Sequence, residues 1–196
     1  MKVLVLDNYD SFTYNLVQYI QEILDQKIDV YRNDEIELDA IEAYDFIILS
    51  PGPGLPKDAG IMPALIKRYA ATKTILGVCL GHQAIGEAFG ASLENLAHVF
   101  HGVETPVEAV VEDEPLFQNM PASFQAGRYH SWVVSKENLP EELEITAVDK
   151  DGVIMAMRHK EYDVRGVQFH PESIMTEFGR KMLENLLMAR REPVAV

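Results

Sequence analysis

Short apolar runs alternate with helix-spaced stretches along the first half of the chain, and few folds accommodate that rhythm. Residues 3–6 (VLVL), 28–31, 46–49 (FIIL) and 74–78 each read as a short buried strand. Between them, residues 12–24 place Phe12, Leu16, Tyr19, Ile20, Ile23 and Leu24 on one helical face, with Ser11 positioned as an N-cap. Residues 61–69 and 81–89 are also helical in pattern. Strands that alternate with helices at this spacing form βαβ units, whose parallel sheet is covered by helices on both faces. Ligands bind such open sheets at the carboxyl ends of the strands. Three polar or glycine-rich turns fall at those ends: residues 7–10, 50–54 and 78–83.

The second half changes character. Residues 107–111, 132–134, 144–148 and 153–157 read as successive strands without long helices between them, which implies an antiparallel extension of the sheet. A further strand at 165–169 leads into His170-Pro171-Glu172, and an amphipathic helix at 178–188 follows. With no repeat or linker in view, the expectation is one α/β domain over 1–196. Its open mixed sheet should be mostly parallel, with helices on both faces and an antiparallel extension.

Charge and cysteine usage narrow the function. Asp plus Glu number 31 against 17 Lys plus Arg, a formal net charge of −14, and no basic cluster offsets it. Nucleic acid would be repelled by that balance. Met1 to Asp7 is too short an apolar run for a signal peptide or a membrane span. One cysteine permits no internal disulfide, and a cytoplasmic, reducing setting is the default expectation. Without a second cysteine, an H-E-x-x-H or a C-x-x-C, no metal site is expected.

That cysteine stands in Gly77-Val78-Cys79-Leu80-Gly81, after a strand and before a helix. G-x-C-x-G in this context is a nucleophile elbow with cysteine in place of serine. The glycines admit a sharp turn, and the first-turn N–H groups of the following helix favour a thiolate. The Leu80 N–H is placed to donate to a developing oxyanion. A nucleophile of this kind needs a base, and the base needs an orienting group. Of the six histidines only His170 comes immediately after an apolar strand, at 165–169, with a carboxylate, Glu172, two residues on. Pro171 stiffens the link, and an extended tripeptide would carry both side chains on one side. His82 lies within the helix after Cys79 and reads as packing. Ser50-Pro51-Gly52-Pro53-Gly54 exposes backbone N–H groups at the same sheet edge and lacks the G-K-[ST] ending of a phosphate loop.

Together these segments resemble the class I, triad-type glutamine amidotransferases. The resemblance rests on Gly77 to Gln83 and on Phe169-His170-Pro171-Glu172-Ser173. Asp7-Asn8-Tyr9-Asp10-Ser11-Phe12-Thr13-Tyr14-Asn15 and the Pro51-Gly52-Pro53-Gly54 loop narrow it to the glutaminase subunits of anthranilate synthase and of aminodeoxychorismate synthase. It runs from Met1 to about Arg190. It implies that Cys79 attacks the side-chain amide of L-glutamine, that His170 protonates the leaving ammonia and later activates water, and that Glu172 orients His170. It further implies glutamine or thioester contacts from Gly52, Pro53, Gly54, Leu80, Gln83, Ser131 and Trp132, and no cofactor. The ammonia would pass to a separate chorismate-binding synthase subunit, for anthranilate and tryptophan or for aminodeoxychorismate and folate, or for both. The residues 7–15 would face that partner. Two departures from the family pattern stand out: Trp132, where leucine is commoner, and Val103-Glu104, where a lysine usually follows His-Gly. A stand-alone γ-glutamyl cysteine hydrolase is the competing enzyme class, and a catalytically silent regulatory subunit the competing non-enzyme.

Overall fold

The computed structural model describes residues 1–189, so the part of the expected 1–196 domain from 190 onward lies outside the described residues. Its centre is a nine-stranded sheet in the order β2-β1-β3-β4-β11-β10-β9-β6-β7. The parallel half comprises β1 (Val3–Asp7), β2 (Asp29–Arg32), β3 (Phe46–Leu49), β4 (Thr74–Val78) and β11 (Val164–Val167). The antiparallel half adds β10 (Ile154–His159), β9 (Leu143–Asp149), β6 (Val103–Ala109) and β7 (Ser123–Arg128).

Strand alternation divides the core in two. Val3 and Val5 of β1 face α1 (Thr13–Leu24) and α4 (Gly179–Ala189), where Leu16, Ile20, Met182 and Leu183 are buried. Leu4 and Leu6 face the opposite layer, with α2 (Met62–Tyr69) and α3 (Leu80–Ala88). Burial on both faces explains the unbroken apolar runs of the parallel strands. Each fully buried Leu or Ile in these layers contributes about 1.5–3 kcal/mol. Among the described residues, no helix is long and apolar enough to cross a membrane.

The α/β class and the mixed sheet agree with the sequence reading; several details differ. Ser11 does not cap α1: Phe12 is the N-cap and makes no side-chain cap bond. Asp10 instead accepts from the Phe12 N–H, and Asp7 accepts from the Thr13 hydroxyl, so carboxylates from the preceding loop tie down the helix start. The strand expected at 107–111 runs over Val103–Ala109. The strand at 132–134 exists as β8 (Trp132–Val134), but it leaves the main sheet and pairs with β5 (Leu93–Asn95) in a two-stranded sheet of its own. Strand β7 was not expected, because its two apolar side chains, Phe124 and Ala126, make too short an alternation before Gly127 to mark a strand.

Candidate active site

Cys79 and His170 follow neighbouring parallel strands. β11 pairs with β4, and the Cys79 N–H donates to the Val167 carbonyl at 2.8 Å, so the two chain segments leave the sheet side by side. Cys79 sits at φ 51°, ψ −98°, a region that L side chains rarely occupy. A backbone held there costs about 1–3 kcal/mol and persists where the surroundings over-determine it. The surroundings here are two glycines. A Cβ on Gly77 would lie 2.4 Å from the carbonyl group of Gly81, and one on Gly81 would lie 2.6 Å from the Leu49 oxygen. The turn is therefore locked between β3 and the start of α3. Gly81→Ala is expected to lower stability by about 1–3 kcal/mol and to displace the sulfur, read as a lower melting temperature together with slower alkylation of Cys79.

Leu80 occupies the first position of α3, where the backbone N–H has no intrahelical carbonyl to meet. The loop at 50–54 is drawn against this turn. A Cβ on Gly52 would strike Asn8 at 2.5 Å and the Leu80 side chain at 2.9 Å. Asn8 grips Ser50 twice, donating its N–H to the Ser50 hydroxyl and its side-chain amide to the Ser50 carbonyl, both at 2.8 Å. Thus the three turns read from the sequence as sheet-edge segments meet at one place. Gly52 is half-buried, whereas Pro53 and Gly54 are exposed.

The His170 Nδ1 and a Glu172 oxygen are 2.7 Å apart and both residues are buried. The tripeptide, expected from the sequence to be extended, is instead a turn, with the Ser173 N–H donating to the His170 carbonyl at 3.2 Å. Thr176, which no sequence signal marked, pins this turn: its hydroxyl donates to the His170 carbonyl and accepts from the Gly127 N–H. The His170 N–H in turn donates to the Gly127 carbonyl. Phe12 and Tyr129 pack edge-on against the imidazole at centroid distances of 5.9 and 4.8 Å. Burial alone would lower the His170 pKa; Cys79 and Glu172 outweigh it and hold the pKa well above 6.5. The imidazole Nε2 has no hydrogen-bond partner among the described residues, so it is available toward the sulfur and whatever reacts there.

His82 is fully buried in α3 against Gly166, and burial pushes its pKa down to about 4. It is neutral packing, as its place in the sequence suggested. Ser131, just before β8, and Trp132, its first residue, are half-buried, and the Trp132 carbonyl accepts from the side-chain amide of Gln83 at 2.8 Å. Gln168 was missed. It is fully buried one residue beyond β11, and its amide nitrogen lies 3.6 Å from the Cys79 sulfur. A lone glutamine in an apolar strand end was the signal available, since a buried amide requires partners.

An open α/β sheet that presents a strained cysteine elbow, a histidine from the next strand and a carboxylate behind it is the architecture of a cysteine-dependent acyl-transfer enzyme. The sequence pattern of the class-I glutamine amidotransferases matches residues 4–189, and the chain belongs to that family. Among named relatives, the aminodeoxychorismate/anthranilate synthase component 2 of Bacillus subtilis is 45% identical over 194 residues, which cover 98% of each chain. The bifunctional protein TrpGD of Thermotoga maritima is 47% identical over 189 residues, 95% of this chain; the match spans 32% of that longer protein. Among solved structures, a putative GMP synthase component from Thermoplasma acidophilum superimposes with a TM-score of 0.82 at 25% identity, covering 98% of both chains.

Proposed function

We propose that this protein is the glutaminase subunit of a chorismate-using synthase, hydrolysing L-glutamine through a Cys79 thioester and handing ammonia to the partner for anthranilate synthesis. The observation that carries the chemistry is the convergence of Cys79, His170 and Glu172 at the carboxyl ends of β4 and β11. The names of relatives matched over nearly the whole chain support the partner. The whole chain is read as one amidotransferase domain, working in the cytoplasm. That setting suits an enzyme whose one cysteine must stay reduced.

In this mechanism burial would lower the His170 pKa, but Cys79 and Glu172 raise it and favour the imidazolium beside the sulfur, and Cys79 reacts as its thiolate. The thiolate attacks the side-chain amide carbon of glutamine. Negative charge on the amide oxygen is met by the Leu80 N–H and by an N–H of the Gly52-Pro53-Gly54 loop. Collapse breaks the C–N bond as the His170 imidazolium gives its proton to the nitrogen, and ammonia leaves. Neutral His170 then takes a proton from water, which attacks the thioester; glutamate departs and the thiolate–imidazolium pair returns. Glu172 holds the imidazole orientation throughout and favours its charged form. Ser131 and Trp132 border the substrate, and Gln83 fixes Trp132 through its carbonyl.

A γ-glutamyl-directed electrophile should form a single adduct on Cys79, identified by peptide mass spectrometry. No adduct, with or without the partner subunit, would overturn the mechanism. The Bacillus subtilis relative bears both synthase names, which keeps aminodeoxychorismate as the second reading. Capture of the partner chain and identification of its product decide between them: anthranilate supports the proposal, 4-amino-4-deoxychorismate the alternative.

A further inference from the structure

A buried chain of hydrogen bonds ends on the nucleophile, and its polarity is fixed at every link. It begins at the Asp149 carboxylate, which accepts from the Arg128 Nη1 at 2.6 Å. The Arg128 Nε is 3.1 Å from the His130 Nε2. Arginine has only hydrogens to offer, so this histidine nitrogen accepts. Neutral His130 must then carry its proton on Nδ1, which lies 3.1 Å from the Trp132 carbonyl. Burial first, and then the neighbouring Arg128 charge, keep His130 neutral by pushing its pKa to about 3. The Trp132 carbonyl can only accept, so the Gln83 group that meets it at 2.8 Å is the NH₂ end. The same nitrogen is 3.3 Å from the Gln168 side chain. Two amide nitrogens facing one another would set donor against donor with no acceptor between them, so Gln168 turns its oxygen to Gln83. Its NH₂ must then point at the Cys79 sulfur, 3.6 Å away. A backbone carbonyl, which cannot flip, thus sets the orientation of both glutamines.

From this geometry we infer that Gln168 is a further catalytic residue, an N–H donor to the Cys79 thiolate, and that Gln83 is the positioning residue that aims it. The donation stabilises the sulfur's negative charge before attack and between turnovers. It acts on the opposite protonation balance from burial, which favours the neutral thiol. This inference rests on the reading of Cys79 as the nucleophile, and the test separates the two.

Cys79 is the sole cysteine, so alkylation of the full-length chain by iodoacetamide, followed by intact mass, reports on it alone. Rates are measured from about pH 5 to about pH 9, with thermal melts alongside. Gln168→Met keeps the size and removes the donor. Its alkylation profile should shift upward by about one pH unit, so labelling on the acid limb slows about tenfold while the high-pH plateau is unchanged. Gln168→Glu, which offers a negative oxygen in the same shape, should shift at least as far, and Gln83→Met less far in the same direction. Where Gln168→Met fails to melt cooperatively, the Glu variant decides. A folded Gln168 variant whose profile superimposes on the wild type overturns the inference, as does a profile lowered equally at every pH. Failure of the wild-type chain to be alkylated or to turn over glutamine defeats the nucleophile reading itself, and the Gln168 role with it.

Discussion

Cys79→Ala is expected to cut glutamine hydrolysis by at least ~10⁴-fold, while the complex with its synthase keeps full product formation from added ammonia. In the proposed mechanism the alanine removes the atom that forms the thioester and leaves the fold alone. Its side chain is a small part of a core whose mass lies in the two flanking layers. The strained backbone sharpens the test. Alanine keeps the Cβ at φ 51°, whereas glycine relieves it. Cys79→Gly should therefore melt higher than Cys79→Ala, since relief of about 1–3 kcal/mol exceeds the ~0.5–1 kcal/mol of extra chain entropy glycine loses on folding. Both variants should be equally inactive with glutamine. Should ammonia-dependent synthesis vanish too, Cys79 would be needed for assembly rather than chemistry. Equal melting of the two variants would show that the elbow carries no strain.

The Cys79 elbow was legible in the sequence because its requirements are local. Gly77 and Gly81 are needed by the turn they flank, and strand and helix follow directly on either side. The parallel half of the sheet was legible for a similar reason: burial on both faces forces unbroken runs such as those of β1 and β3. What escaped depends on distant partners. β8 looks like any strand of the extension, and only pairing with β5 at Leu93–Asn95 removes it from the main sheet. Gln168 takes its meaning from a sulfur 89 residues away, and Arg128 from Asp149. Thr176 acts by bonding two backbone groups, from Gly127 and His170, that no spacing rule connects. His170 and Glu172 were found together because they are two residues apart. Yet the turn that joins them was misread, because its closing bond, from the Ser173 N–H to the His170 carbonyl, has no side-chain signature.

His170→Ala should lose about 10⁴-fold in glutamine kcat/KM, and Glu172→Gln about 10²-fold, with different pH signatures. In the proposed mechanism His170 transfers the proton, so its loss leaves no acid for the departing ammonia at any pH. Glu172 acts on His170. With the carboxylate neutralised, burial is opposed by Cys79 alone, and the His170 pKa falls from its raised position. The alkaline limb of kcat/KM, where the imidazolium loses its proton, should move to lower pH in Glu172→Gln. Stability carries the same sign. A histidine whose folded pKa is raised stabilises the native state fully below its unfolded pKa of about 6.5, and that contribution is lost as pH rises through the folded value. The gap in melting temperature between wild type and Glu172→Gln should therefore be widest below about pH 6.5 and narrow at alkaline pH. An alkaline limb that stays in place, or a gap that widens with pH, would mean that Glu172 holds the turn without setting the charge on His170.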